Sequence, residues 1–230
     1  MKGHIYKLIS LILIIFMLIA SVACGAAAPT EPEETPSVTQ PTVHQTVITL
    51  GSYEQDGDST SAEPIEWIVI AGKDGKKLLI SKYILDCQMF NEVYGECTYD
   101  SSSIRKWLNE DFLTKAFTEE EQAKLLVTTV IAEADSAGSD VCDKVFLLSE
   151  SEAKAYLVSD ELKLAKATAF AENAGVMVNG NGIGAWWLSS MGTGFRAALY
   201  VNEKGEIPAD GRGVDYVLYG VRPAIWISAE

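Results

Sequence analysis

Residues 184–227 read GAWWLSSMGTGFRAALYVNEKGEIPADGRGVDYVLYGVRPAIWI and hold three of the five tryptophans in the chain. Three strands are predicted here, in AWWLSS, FRAALYVN and GVRPAIWI, with Gly205 in the turn after the second. Successive side chains of a strand point to opposite faces. Phe195, Ala197, Leu199 and Val201 therefore share one face, and Arg196, Ala198 and Tyr200 the other. In the last strand Val221, Pro223, Ile225 and Ile227 oppose Arg222, Ala224 and Trp226. Proline donates no ladder hydrogen bond, so this strand reads as an edge, or as bulged at Pro223. Trp186 and Trp187 are adjacent and must point apart. One is expected in the core, and the other is either an exposed stacking platform or buried beneath a loop.

The upstream texture is consistent with these strands. IEWIVIAGKDGKKLLISKYIL (65–85) is two β-rich runs around Gly72-Lys73-Asp74-Gly75, a hairpin. Ile104, Trp107, Leu108 and Phe112 recur at helical spacing behind capping serines. Thr118 with Glu121, and Ser149 with Glu152, are capping-box signatures; the first opens a short helix reaching about Leu126. VTTVIA (127–132) and KVFLL (144–148) read as strands, and Leu162–Glu172 as an alanine-rich helix stopping at Gly175. Short helices among mainly antiparallel strands define a single α+β domain over residues 46–230.

At the other end, Lys2 and Lys7 precede an apolar run from Leu8 to Ala20, then small residues and Cys24. This is the layout of an export signal, and the run is shorter than the ~20 residues a membrane span needs. Residues 1–23 are expected to be a lipoprotein signal peptide, although Ser21 stands where the lipobox usually has leucine. Cys24 would then carry lipid, fixing the protein to the cell membrane on the extracellular side. An uncleaved N-terminal anchor is the alternative. Residues 24–45 are rich in proline, threonine and glutamate and read as a disordered spacer.

The formal charge is −14, and removal of residues 1–23 takes away two lysines and no acid. So acidic a chain excludes nucleic acid as a charge-driven partner. Beyond the signal segment the sequence has one histidine, His44, in the spacer. Histidine-based nucleophile activation and histidine-ligated zinc are therefore excluded. A carboxylate pair could still hydrolyse glycosides. Asp56–Ser59 and Glu133–Asp140 could supply oxygen ligands to calcium, without EF-hand spacing. Of the remaining cysteines, Cys87 and Cys97 are the nearest candidates for a disulfide; three buried thiols, with Cys142, are the other option.

The motifs SSSIRKWLNEDFLTKAFTEEEQ (101–122), VFLLSESEAKAYL (145–157), AWWLSS, AALYVNEKGEI and GVRPAIWI occur in this order. Together they resemble a domain family of unknown function, DUF6273, found in surface and secreted proteins of Gram-positive anaerobes. Ser189 departs from the family, which often has arginine there; Arg196 is the candidate to replace it. The tail also resembles the end of C-type-lectin-like modules, including the formylglycine-generating-enzyme type. That resemblance implies a C-type-lectin-like fold and structural roles for Trp107, Trp186, Arg222 and Trp226. The carboxylate–amide motif of calcium-dependent lectins is missing, since Glu63-Pro64-Ile65 lacks the asparagine.

The reading is a binding or adhesion module for an extracellular glycan or protein, more an interaction domain than an enzyme. Trp187, Arg196 and Arg212 are the expected contact residues. A carboxylate-based hydrolase of envelope glycans and a structural subunit of a surface assembly are the competing readings.

Overall fold

A computed structural model describes residues 45–58, 60–132 and 138–229. The predicted signal segment, Cys24 and the spacer up to His44 lie outside the described residues, as does Glu133–Ala137 of the second acidic turn. The fold is α+β, with mainly antiparallel sheets and short helices.

One five-stranded sheet joins β1 (Val47–Tyr53), β2 (Glu63–Lys73), β3 (Lys76–Ser81), β14 (Ala224–Ser228) and β7 (Val145–Phe146), in that spatial order. Every neighbouring pair in it is antiparallel. The β2–β3 hairpin turns on Asp74 and Gly75, both at positive φ (51° and 69°). A two-residue Asp-Gly loop of this kind matches the twist of the strands it joins. In β1 the register slips between Thr49 and Ser52, where Gly51 has φ 72°. The Leu50 carbonyl at this bulge accepts the Trp67 indole N–H at 2.8 Å, and the Gly51 N–H donates to Glu121 at 3.1 Å.

A second sheet orders β12 (Arg212–Gly213), β11 (Ala197–Val201), β10 (Trp186–Met191), β13 (Gly220–Val221) and β4 (Asp86–Cys87). Its β10–β13 pair is parallel. Two small ribbons complete the strands, β5 (Thr128–Val130) with β6 (Val141–Asp143) and β8 (Ala165–Lys166) with β9 (Ile183–Gly184).

The strand holding Pro223 is neither an edge nor bulged by it. β13 and β14 are separate strands, each inside a different sheet, and Arg222-Pro223 is the link between them. At that junction the missing N–H costs no ladder bond, while the Pro223 carbonyl still accepts from Ser81 N at 2.9 Å.

Helical residues run from Ser103 to Ala116, with a π-helical turn at Leu108–Phe112, and the Ser102 hydroxyl accepts from Arg105 N. The SIRKWLN motif has a structural explanation here. Arg105 makes a two-pronged ion pair with the buried Asp143, both bonds 2.8 Å. The Asn109 side chain accepts from Lys144 N and Val145 N and donates to Val145 O at 2.9 Å. It thereby acts as a partner for edge strand β7, whose backbone groups would otherwise stay open to pairing. Ile104, Leu108 and Phe112 are buried, and Trp107 is half-buried against Phe112 at 5.4 Å.

Both predicted capping boxes form, at Thr118/Glu121 and Ser149/Glu152. The first helix is shorter than expected, Glu119–Gln122. The single helix expected over Leu162–Glu172 is instead Asp160–Lys163, strand β8 and Ala169–Ala174. Pairing of Ala165 and Lys166 with Gly184 and Ile183 overrides the helix preference of the alanines, and Thr168 then caps a new helix ending at Gly175.

Candidate ligand-binding face

Registers in the second sheet decide which side chains meet. Trp187 lies opposite Tyr200, and Ala198 opposite Arg212. Tyr200 and Ala198 have the same parity, so Trp187, Tyr200 and Arg212 share one face. The loop after β12 adds Tyr216 and Tyr219 to it. Tyr219 lies 4.9 Å from Trp187, 4.4 Å from Tyr200 and 4.8 Å from Tyr216, centre to centre. The Arg212 guanidinium stands 4.1 Å above the Tyr216 ring.

Trp187 does not present a stacking platform. It is fully buried; its indole N–H donates to Gln88 O at 2.9 Å, and Phe90 lies against it at 5.8 Å. Both faces of the sheet are covered, so both adjacent tryptophans go inside. Trp186 is fully buried on the opposite face, where its N–H donates to Lys163 O. The outer layer is made by Tyr200, Tyr216 and Tyr219, each half-buried, with Arg212 exposed. Burial pushes the Tyr219 hydroxyl well above the usual tyrosine range.

Arg196 takes no part in this layer. It is exposed and pairs with the exposed Glu96 at 3.5 Å, a contact of little energetic weight. Nor does it substitute for a guanidinium at Ser189, which is buried with its N–H on Leu148 O. Arg222 is fully buried, donating to Ser81 O and Leu162 O, while Trp226 is half-buried on β14. Of the expected contact residues, only Arg212 reaches the surface of the aromatic cluster. The three tyrosines were missed; the pair in DYVLYG (215–220) beside Tyr200 was the available signal.

Cys87, Cys97 and Cys142 are free. Cys97 is buried, Cys87 half-buried and Cys142 exposed, which corrects both the Cys87–Cys97 disulfide and the set of three buried thiols. Cys87 donates to Val217 O at 3.2 Å, and burial raises its thiol to about 11, away from nucleophile chemistry. Among the calcium candidates, ligand oxygens of Glu54, Asp56 and Asp58 come within 4.8 Å of one another. These carboxylates also accept backbone N–H groups of their own turn, from Gly57, Asp58 and Thr60.

A cleft of about 970 Å³ lies elsewhere among the described residues. Its walls are Thr129–Ala132 and Met191–Phe195, and Ser149–Glu152 and Leu199 line it between them. Glu150 pairs there with Lys154 at 2.7 Å, and Glu152 accepts from Ser149 N in its capping box. Burial raises the Asp86 carboxyl above the ordinary range, but it lies far inside, accepting from Tyr53 OH and Cys87 N.

No curated protein and no solved structure matches this sequence. Residues 74–229 match a family model described as "Domain of unknown function (DUF6273)", which opens in the β2–β3 turn and closes just after β14. β1 and β2 precede the match, although they share a sheet with it. The chain therefore belongs to the DUF6273 family.

Proposed function

We propose that this chain is a binding module held on the outside of a Gram-positive-type cell by lipid on Cys24, and that it contacts a glycan or protein through Tyr200, Tyr216, Tyr219 and Arg212. The observation that carries this reading is the packed tyrosine layer on Trp187, topped by an exposed guanidinium. Tyrosine offers an apolar body and a polar tip, and rings already packed lose little freedom on binding. The N-terminal sequence supports export and tethering. A C-type-lectin-like kinship is supported by the C-terminal strand β14 returning to the sheet of β1–β3, with Trp186 and Arg222 inside the core.

One observation favours a hydrolase, since Glu150 and Glu152 line a single cleft. Each already has a structural task, as ion-pair partner and as helix cap, which leaves the binding reading stronger. A glycan and cell-wall-fragment array probed with residues 46–230 tests the proposal. Binding should fall at least tenfold, ~1.4 kcal/mol, in Arg212→Ala and Tyr216→Ala. A blank array, or undiminished binding by both variants, would refute it.

A further inference from the structure

The cleft beside β5 has walls of an unusual kind. Residues of a strand that presents a face line a cavity alternately, because neighbours point apart. Here Thr129, Val130, Ile131 and Ala132 all line it in succession, so β5 and its continuation meet the space edge-on. β5 has a strand partner only on its β6 side, among the described residues. Its other edge carries backbone donors and acceptors that an incoming chain can use. A second stretch of the lining, Met191–Phe195, is also an unbroken run of residues. Phe195 in that stretch has φ 54°, a conformation that costs a bulky residue free energy, and its carbonyl accepts from Cys97 N at 2.8 Å.

The chemistry of the lining narrows the occupant. Val130, Ile131, Met191, Phe195 and Leu199 supply apolar surface; Glu150, paired with Lys154, and Glu152, in its capping box, supply carboxylates, and no lysine or arginine is among the described lining residues. The net charge of −14 adds an attractive field for a cation. We propose that this cleft takes an extended peptide strand bearing alternating apolar and lysine or arginine side chains, its main chain paired with the open edge of β5. The size is that of an ordinary ligand site, for which about 300–1,000 Å³ is typical. Leu199 and Tyr200 point to opposite faces of β11, so this site is separate from the tyrosine layer.

Fluorescence anisotropy of the full chain with a labelled octapeptide of alternating valine and lysine tests the proposal. Binding should weaken at least tenfold with a backbone-N-methylated version of the peptide, which cannot donate to a strand edge. It should vanish with a valine–glutamate version. Glu150→Gln with Glu152→Gln should also weaken it tenfold and flatten its salt dependence, while glutamine keeps the helix cap. Failure of the valine–lysine peptide to bind, or equal binding of the methylated or glutamate peptide, would overturn the assignment. The array above reads the other face, so each result stands or falls alone.

Discussion

The Arg222 guanidinium lies 5.1 Å from the centre of the Trp186 ring, and neither residue has exposed surface. Two backbone carbonyls, Ser81 O and Leu162 O, take its protons, and Nη2 has no partner among the described residues. A buried charge held by dipoles and a π face is a costly arrangement whose removal depends on what replaces it. Arg222→Met keeps volume and drops the charge, and should destabilise by about 1–3 kcal/mol for the orphaned carbonyls. Arg222→Ala also opens a cavity and should cost more. Urea unfolding of the two variants checks the order; equal losses would show that the charge itself is required.

Asp86 predicts a pH dependence of defined sign. Burial raises its carboxyl despite hydrogen bonds from Tyr53, Cys87 N and Gln88. The folded chain thus keeps this proton to higher pH than the unfolded chain, and stability falls as pH climbs from about 3.9 through the raised value. Asp86→Asn should gain stability relative to wild type as pH rises above about 4, the ordinary carboxylate value. A difference that does not change with rising pH, measured by thermal unfolding, would contradict the raised carboxyl.

The tryptophans should rank by burial. Trp186→Ala and Trp187→Ala should each cost about 3–5 kcal/mol, because each empties a fully buried indole site. Trp226 is only half-buried, so Trp226→Ala should cost clearly less and leave the domain folded. Chemical denaturation tests the ranking, and unfolding of the Trp226 variant alone would reverse it.

On the tyrosine face, Arg212→Ala should lower melting by no more than the equivalent of about 1 kcal/mol, the scale of an exposed cation–π contact. Any larger loss would make Arg212 a structural residue and weaken its part in ligand contact.

Cys24→Ala should release the protein from the membrane fraction and abolish incorporation of radiolabelled fatty acid. Continued labelling of the variant would refute lipidation at this residue.

Local signals were the most legible parts of the sequence. Asp74-Gly75, Thr118/Glu121 and Ser149/Glu152 act through bonds within a few residues, so their chemistry can be read directly. Parity in β11 placed Tyr200 and Arg196 on one face, yet it could not show that the 214–219 loop folds back over Tyr200 and Trp187. Pairing of Ala165–Lys166 with β9 and the switch of sheets at Arg222-Pro223 are long-range choices, invisible to propensity and periodicity. The site was half legible for the same reason: Arg212 carries a charge that draws notice, whereas its tyrosine bed is assembled from distant segments.

The two-residue link at Arg222-Pro223 also bears on how the molecule is made. Gly220–Val221 and Ala224–Ser228 supply an inner strand to different sheets, between β10 and β4 in one and between β3 and β7 in the other. In synthesis Gly220–Ser228 follows every other strand of these two sheets, so neither sheet can be completed before this segment emerges. Trimming it would remove an inner strand from both sheets at once.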